Sequence, residues 1–72
     1  MGRLRRMSGK KVCAILSAHG FAKTRQKGSH MIMTKSFIDE SITVAVPDHK
    51  EVAIGTLLGV IRQSGVPRSE FE

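Results

Sequence analysis

The segment Ser41–Val46 constrains the fold more than any other part of the chain, because it alternates apolar residues with small or polar ones. This period of two is typical of a strand that buries one face. Ile42, Val44 and Val46 share the apolar face, and Pro47 ends the strand. The chain must therefore provide neighbouring strands and one layer that covers the apolar face.

Two extended runs earlier in the chain supply the neighbours. Residues 21–26 alternate in character, and residues 30–35 are rich in Met, Ile and Thr. The short connection between them contains Gly28, which favours a hairpin that turns at this residue. We therefore predict a three-stranded antiparallel sheet.

One helix before the three strands in the sequence and another after them can supply the covering layer. The first is predicted from an N-cap at Ser8 to about His19, with Gly20 as its stop signal. Its predicted buried stripe consists of Val12, Ile15 and Leu16, with Cys13 on the flank.

The second helix is predicted from about Gly55 to Ser64, with Gly65 as its stop. Gly59 inside it is unfavourable for a helix and predicts close packing at that position. The predicted buried face consists of Ile54, Leu57, Leu58, Val60 and Ile61.

The element order is helix, three strands, helix, which predicts an α+β fold in one domain over residues 1–72. Residues 1–7 form a basic N-terminal arm, and residues 67–72 form a C-terminal turn. A chain of this size has room for one thin core. Packing both helices on the same sheet face is the economical solution, and it leaves the other face open.

The charge of the chain is strongly uneven. Residues 1–36 hold nine Lys and Arg and no acid, whereas residues 37–72 hold three Lys and Arg and six acids. This distribution indicates an anionic partner, which can be nucleic acid, an anionic membrane or an acidic protein.

Other features exclude several classes of protein. No apolar run approaches the length of a spanning helix, and residues 1–8 lack the apolar centre of a signal peptide. Cys13 is the single cysteine, so neither a disulfide framework nor a four-thiolate zinc site is available within one chain. We expect a cytoplasmic protein with no membrane partner and no cofactor or metal.

Candidate site residues concentrate at the predicted hairpin. His30 can exchange a proton near neutral pH, as RNA cleavage requires when a ribose 2′-hydroxyl attacks the adjacent phosphorus. Cations stabilise charge on the phosphate oxygens, and Gly28 and Ser29 allow a close approach of the backbone to a phosphate. The candidate RNA-binding residues are Lys23, Arg25, Lys27, Gly28, Ser29 and Lys35.

Each candidate also has an ordinary structural interpretation. By spacing alone, His30 is an exposed strand histidine, and the basic cluster can be a solvated face. His49 follows a proline in a loop and can be a solvated residue. At the end of the first helix, His19 can meet the helix dipole, and Cys13 is interpreted as a small residue at the edge of the core.

The run Arg25-Gln26-Lys27-Gly28-Ser29-His30, preceded by Gly20-Phe21, closely resembles the HicA family of toxin ribonucleases. The likeness continues through Val46-Pro47-Asp48-His49, Gly55-Thr56-Leu57 and Ile61-Arg62-Gln63-Ser64-Gly65-Val66, so it covers about residues 8–66. The sequence departs from the family in Met31-Ile32-Met33, where an aromatic or polar residue is common, and it has no Tyr or Trp.

The resemblance implies a double-stranded-RNA-binding-domain-like fold, cleavage of mRNA and inhibition by a HicB-type antitoxin. The catalytic histidine of the family maps onto His30, and His49 is the best candidate for a second proton-transfer group. The leading hypothesis is thus a metal-independent endoribonuclease that acts as the toxin of a toxin–antitoxin pair. The alternatives are a non-catalytic RNA-binding module of the same fold and a protein whose basic surface docks an acidic partner.

Overall fold

The computed structural model describes residues 2–72 and contains six elements. The helices and strands are α1 (Gly9–Ala18), β1 (Ala22–Lys27), β2 (His30–Ser36), β3 (Ser41–Pro47), α2 (Ile54–Ser64) and a C-terminal 3₁₀ helix (Arg68–Phe71). The strands form one antiparallel sheet in the order β1-β2-β3. This arrangement confirms the predicted α+β fold, with the α-β-β-β-α order of a double-stranded-RNA-binding domain.

Both helices bury their apolar stripes against the same face of the sheet. Alternation places two residues each of β2 and β3 in the core, while the residues between them stay exposed or half-buried. We call the covered side the helix face and the opposite side the open face. The core residues that α1, β2, β3 and α2 bury are Val12, Leu16, Met31, Met33, Val44, Val46, Leu57 and Val60.

Capping fixes the bounds of α1 as the sequence predicts. The Ser8 hydroxyl accepts a hydrogen bond from the Lys11 N–H at 3.0 Å. At the other end, the Phe21 N–H donates to the Leu16 carbonyl at 3.1 Å, around Gly20 with φ +94°. This pattern is a Schellman motif, in which Phe21 and Leu16 also pack together in the core.

Two expectations for α2 are wrong. Leu58 is 38% exposed, because the contact with the sheet is centred on Leu57 and Val60 and is narrower than the apolar pattern suggests. A Cβ on Gly59 would meet no atom within 4 Å, so this glycine marks no close packing.

A β-bulge in β1 changes which of its side chains share a face. Lys23 pairs with Met33, but Arg25 pairs with Ile32, so Thr24 is an extra residue in the ladder. The Thr24 hydroxyl donates to the Ile32 carbonyl at 3.3 Å and lies 3.2 Å from the Thr34 hydroxyl. The bulge therefore reverses the alternation between the two halves of β1.

The terminal segments pack on the same domain. Leu4 and Met7 contact the core from the N-terminal side, and Phe71 is buried within it. His19 at the C-cap of α1 lies 3.1 Å from a carboxylate oxygen of Glu70. Within residues 2–72, no helix has both the length and the apolar character needed to span a bilayer.

Candidate functional site

His30 is the first residue of the central strand and is exposed. Its backbone partners are Lys27 on β1 and Pro47 on β3. Because Met31 is buried on the helix face, the alternation of β2 places His30 on the open face. Directly paired residues have Cβ atoms about 5 Å apart, so the Lys27 side chain starts beside the imidazole.

The turn before His30 consists of Gly28 and Ser29. Gly28 has φ +59° and Ser29 has a negative φ, which fits a two-residue type II′ hairpin with glycine in its first position. No atom lies within 4 Å of a Cβ built on Gly28, so a ligand can approach the backbone here. The Gln26 side-chain amide donates to the Gly28 carbonyl at 3.0 Å and braces the turn.

The loop after β3 joins this turn to the start of α1. The Asp48 N–H donates to the Ser29 carbonyl at 2.7 Å, and the Gly9 N–H donates to the His49 carbonyl at 2.9 Å. A Cβ on Gly9 would lie 2.0 Å from the Pro47 carbonyl oxygen, so only glycine allows this approach. The exposed His49 is thereby held at the same end of the sheet as His30.

The bulge in β1 divides the predicted cationic residues between the two faces. Arg25 pairs with Ile32 and shares the open face with Lys27 and His30. Lys23 pairs with the buried Met33, so the Lys23 side chain leaves the backbone on the helix face. The open face therefore combines an imidazole, an amine and a guanidinium at one end of the sheet.

Lys35 lies apart from the other candidates. It pairs with Ile42 on the helix face, and its Nζ lies 5.5 Å from the centre of the Phe37 ring. Lys35 follows His30 by five residue steps, which span about 17 Å at the usual strand rise. The structure thus groups Arg25, Lys27 and the Gly28-Ser29 turn with His30, but not Lys35.

The cations near His30 are available to an anion. The two ion pairs within residues 2–72 join His19 to Glu70 and Arg68 to Glu72, away from the hairpin. Asp48 contacts the turn through its backbone N–H, which donates to the Ser29 carbonyl. Among the residues that the structure describes, no three His, Cys, Asp or Glu side chains converge as ligands for a metal ion.

Cys13 sits at the edge of the core rather than in the site. Its thiol donates to the Met31 sulfur at 3.9 Å, and it packs with the partly buried apolar residues. Burial raises the pKa of the Cys13 thiol, with Lys23 opposing the shift and Asp48 adding to it. The thiol therefore stays protonated at neutral pH and is a poor nucleophile.

Two supporting residues lie outside the set predicted from the sequence. Gln26 lies within the Arg25–His30 motif, so the motif indicated its importance. Its role in bracing the turn is visible only in the structure. Gly9 acts through a contact with Pro47, which is far away in the sequence. No local pattern in the sequence reveals that contact.

One of the comparisons with known proteins identifies a family. The family model described as the HicA toxin of bacterial toxin–antitoxin systems matches residues 9–66, which is most of the chain. No curated protein and no solved structure gives a significant match. The matched region includes the hairpin, His30 and the loop that carries His49. The chain therefore belongs to the HicA family of toxins from bacterial toxin–antitoxin systems.

Proposed function

We propose that this toxin is an endoribonuclease that cleaves mRNA without a metal ion, with His30 as its proton-transfer group. The observation that carries the proposal is the position of His30: it is exposed on the open face, paired with Lys27, beside a glycine turn with free space around it. Membership of a toxin family supports the same activity.

The proposed reaction is an internal transfer at phosphorus. A base removes the proton of a ribose 2′-hydroxyl, and the oxygen forms a bond to the adjacent phosphorus. The bond from phosphorus to the 5′ oxygen breaks, and an acid gives that oxygen a proton. The products are a 2′,3′-cyclic phosphate and a free 5′-hydroxyl, and the two proton transfers balance.

The groups around His30 match the needs of this reaction. Arg25 and Lys27 hold positive charge on the same face and can stabilise the non-bridging phosphate oxygens. The Ser29 hydroxyl stands at the turn where the backbone is open to a phosphate. Lys23 is proposed to contact the RNA strand from the sheet edge, whereas Lys35 lies too far along β2 to reach the same phosphate.

His49 is the proposed second proton-transfer group. Base and acid must act on opposite sides of the phosphorus, so one imidazole can serve both only in separate steps. The hydrogen bonds from Gly9 and Asp48 hold the His49 loop against the turn, on the same end of the sheet as His30. Its exposed side chain is free to turn toward a bound phosphate.

We also propose that the antitoxin is a HicB-type protein and that the pair acts in the cytoplasm. The unpaired cations at the hairpin favour a partner with acidic groups, and the half-buried Ile32 beside them favours apolar contacts. Such a partner inhibits by covering His30. Substrate and inhibitor then compete for the same charged face.

The activity is tested with purified protein and single-stranded RNA in excess EDTA. Wild-type protein should cut the RNA and leave a 2′,3′-cyclic phosphate, and a 2′-deoxy substitution at the cut site should block that cut. His30→Ala should lower the cleavage rate by about 10²- to 10⁴-fold. His49→Ala should lower it less, and His19→Gln, which changes a histidine far from the hairpin, should leave it unchanged.

Circular dichroism and thermal unfolding establish that each variant is folded. Unchanged cutting by folded His30→Ala protein would overturn the mechanism. RNA binding by wild-type protein without any cutting would favour the non-catalytic RNA-binding module.

The antitoxin proposal has its own test. The toxin–antitoxin complex should weaken with salt and protect His30 from modification by diethyl pyrocarbonate. A complex that leaves His30 fully reactive would contradict inhibition by direct covering.

A further inference from the structure

A cavity of about 380 Å³ lies between the N-terminal arm and the C-terminal 3₁₀ helix, away from the hairpin turn. One wall comes from residues 2–7, and the other from residues 70–72. Lys11 and Ile15 of α1 complete the lining. The proposed RNA-cleavage reaction makes no use of this cavity.

The arm is fixed to the domain at several points, so the cavity has a defined wall. Leu4 and Met7 pack against the core. The Met7 carbonyl accepts a hydrogen bond from the Val52 N–H at 2.7 Å, and Gly2 lies against the Glu72 side chain. The exposed arginines of this segment therefore flank the anchored Leu4 and precede the anchored Met7.

The cavity carries an excess of unpaired positive charge. Its two carboxylates already have partners, because Glu70 contacts His19 and Glu72 accepts a hydrogen bond from Arg68, each at 3.1 Å. Within residues 2–72, no carboxylate lies within ion-pair distance of the cationic lining residues. These four residues are Arg3, Arg5, Arg6 and Lys11.

The rest of the lining is apolar. Met7, Ile15 and Phe71 contribute to it, and Phe71 is anchored in the core. A nucleotide combines a phosphate with a flat apolar base, and arginine planes stack on unpaired bases. An acidic peptide side chain would engage the cations but leave the apolar surface uncovered.

We propose that this cavity is a second RNA subsite, which binds an unpaired nucleotide of the strand whose cleavage occurs at His30. This inference rests on the proposed function and extends it. The arm leads directly into Ser8 and Gly9, and Gly9 is hydrogen-bonded to the His49 loop. A strand bound at the hairpin can thus continue past the start of α1 toward the arm.

The test measures binding of a 2′-O-methyl single-stranded RNA, which cannot be cleaved, across a range of salt concentrations. Arg5→Gln should weaken binding roughly five-fold at physiological salt and reduce the slope of log K against log salt by about 0.7. Arg62→Gln is the matched control, since it removes one exposed arginine from α2, outside the cavity. It should change neither quantity appreciably.

Equal effects of Arg5→Gln and Arg62→Gln would overturn the subsite, because the arm would then act only through net charge. Unchanged RNA binding by Arg5→Gln, together with weaker binding of purified antitoxin, would assign the cavity to an acidic protein and also overturn it. In the cleavage assay, Arg5→Gln should raise the RNA concentration that gives half-maximal cutting, whereas Arg62→Gln should not. Binding at the cavity by a wild-type protein that cuts no RNA would refute the nuclease and retain the subsite.

Discussion

The two hairpins of the sheet stand at opposite ends of β2 and differ in how they are held. The first turns through Gly28-Ser29, and hydrogen bonds link it through the loop after β3 to α1. The second, residues 37–40, is closed by one bond from the Phe37 N–H to the Glu40 carbonyl, and Ile38 is fully exposed at its tip.

The difference in backbone contacts between the two hairpins indicates where a small domain can hold a side chain in a fixed position. Three backbone segments meet at the first hairpin, so the position of His30 is determined by contacts from outside its own strand. The second hairpin has an acidic pair, Asp39-Glu40, and no such support. The proton-transfer role proposed for His30 needs fixed geometry, and the contacts at the first hairpin supply it.

The largest expected effect concerns the contact between α1 and the loop after β3. Gly9→Ala should lower the free energy of unfolding by about 1–3 kcal/mol, because the new methyl group would overlap the Pro47 carbonyl. Gly59→Ala is the matched control in α2, where the space is open, and it should raise stability by about 1 kcal/mol. Urea unfolding of both proteins measures the difference, and effects of the same sign would contradict it.

The next effect concerns the turn itself. Gly28→Val should cost about 1–2 kcal/mol, since a β-branched residue is strained at φ +59°. Gly28→Asn should recover most of that stability, because asparagine tolerates positive φ. Thermal unfolding of the two variants provides the measurement. If valine and asparagine were equally well tolerated, the turn would not depend on this backbone conformation.

A smaller effect on RNA binding is expected when one positive charge is removed beside the start of β2, but not when one is removed at its far end. Lys27→Gln should weaken binding of single-stranded RNA and reduce the salt slope by about 0.7, because Lys27 is paired with His30. Lys35→Gln removes the same charge at the far end of the strand and should leave the slope unchanged. Equal slopes for both variants would remove the distinction between the two ends.

The smallest effect is expected at the tip of the second hairpin. Ile38→Ser should change the free energy of unfolding by less than about 0.5 kcal/mol, because the side chain is fully exposed. RNA cleavage should also stay at the wild-type rate. A large loss in either measurement would mean that this hairpin is supported by contacts as the first one is.

Local patterns in the sequence predicted most of the fold. The alternation of Ile42, Val44 and Val46, the Ser8 cap and the two stop signals at Gly20 and Gly65 all act over a few residues, and the structure confirms them. Leu58 was wrongly predicted to be buried, because the apolar stripe of α2 is wider than the contact of this helix with the sheet.

The candidate site was harder to predict, because its assembly depends on pairing between segments. Lys23, Arg25 and Lys27 would share one face of a regular strand, and only the bulge at Thr24 separates Lys23 from the others. Alternation along β2 did contain the signal that Lys35 shares the face of Met33. The contact of Gly9 with Pro47 spans much of the chain and has no local signal.

The irregular β1 also has a consequence for how the protein behaves in a crowded cell. As an outer strand of the sheet, β1 presents unpaired backbone groups that another extended chain could join. Its lysines, its arginine and the bulge at Thr24 make such joining unfavourable, since they interrupt a flat, apolar edge. The same cations that are proposed to attract RNA thus protect the protein from edge-to-edge aggregation.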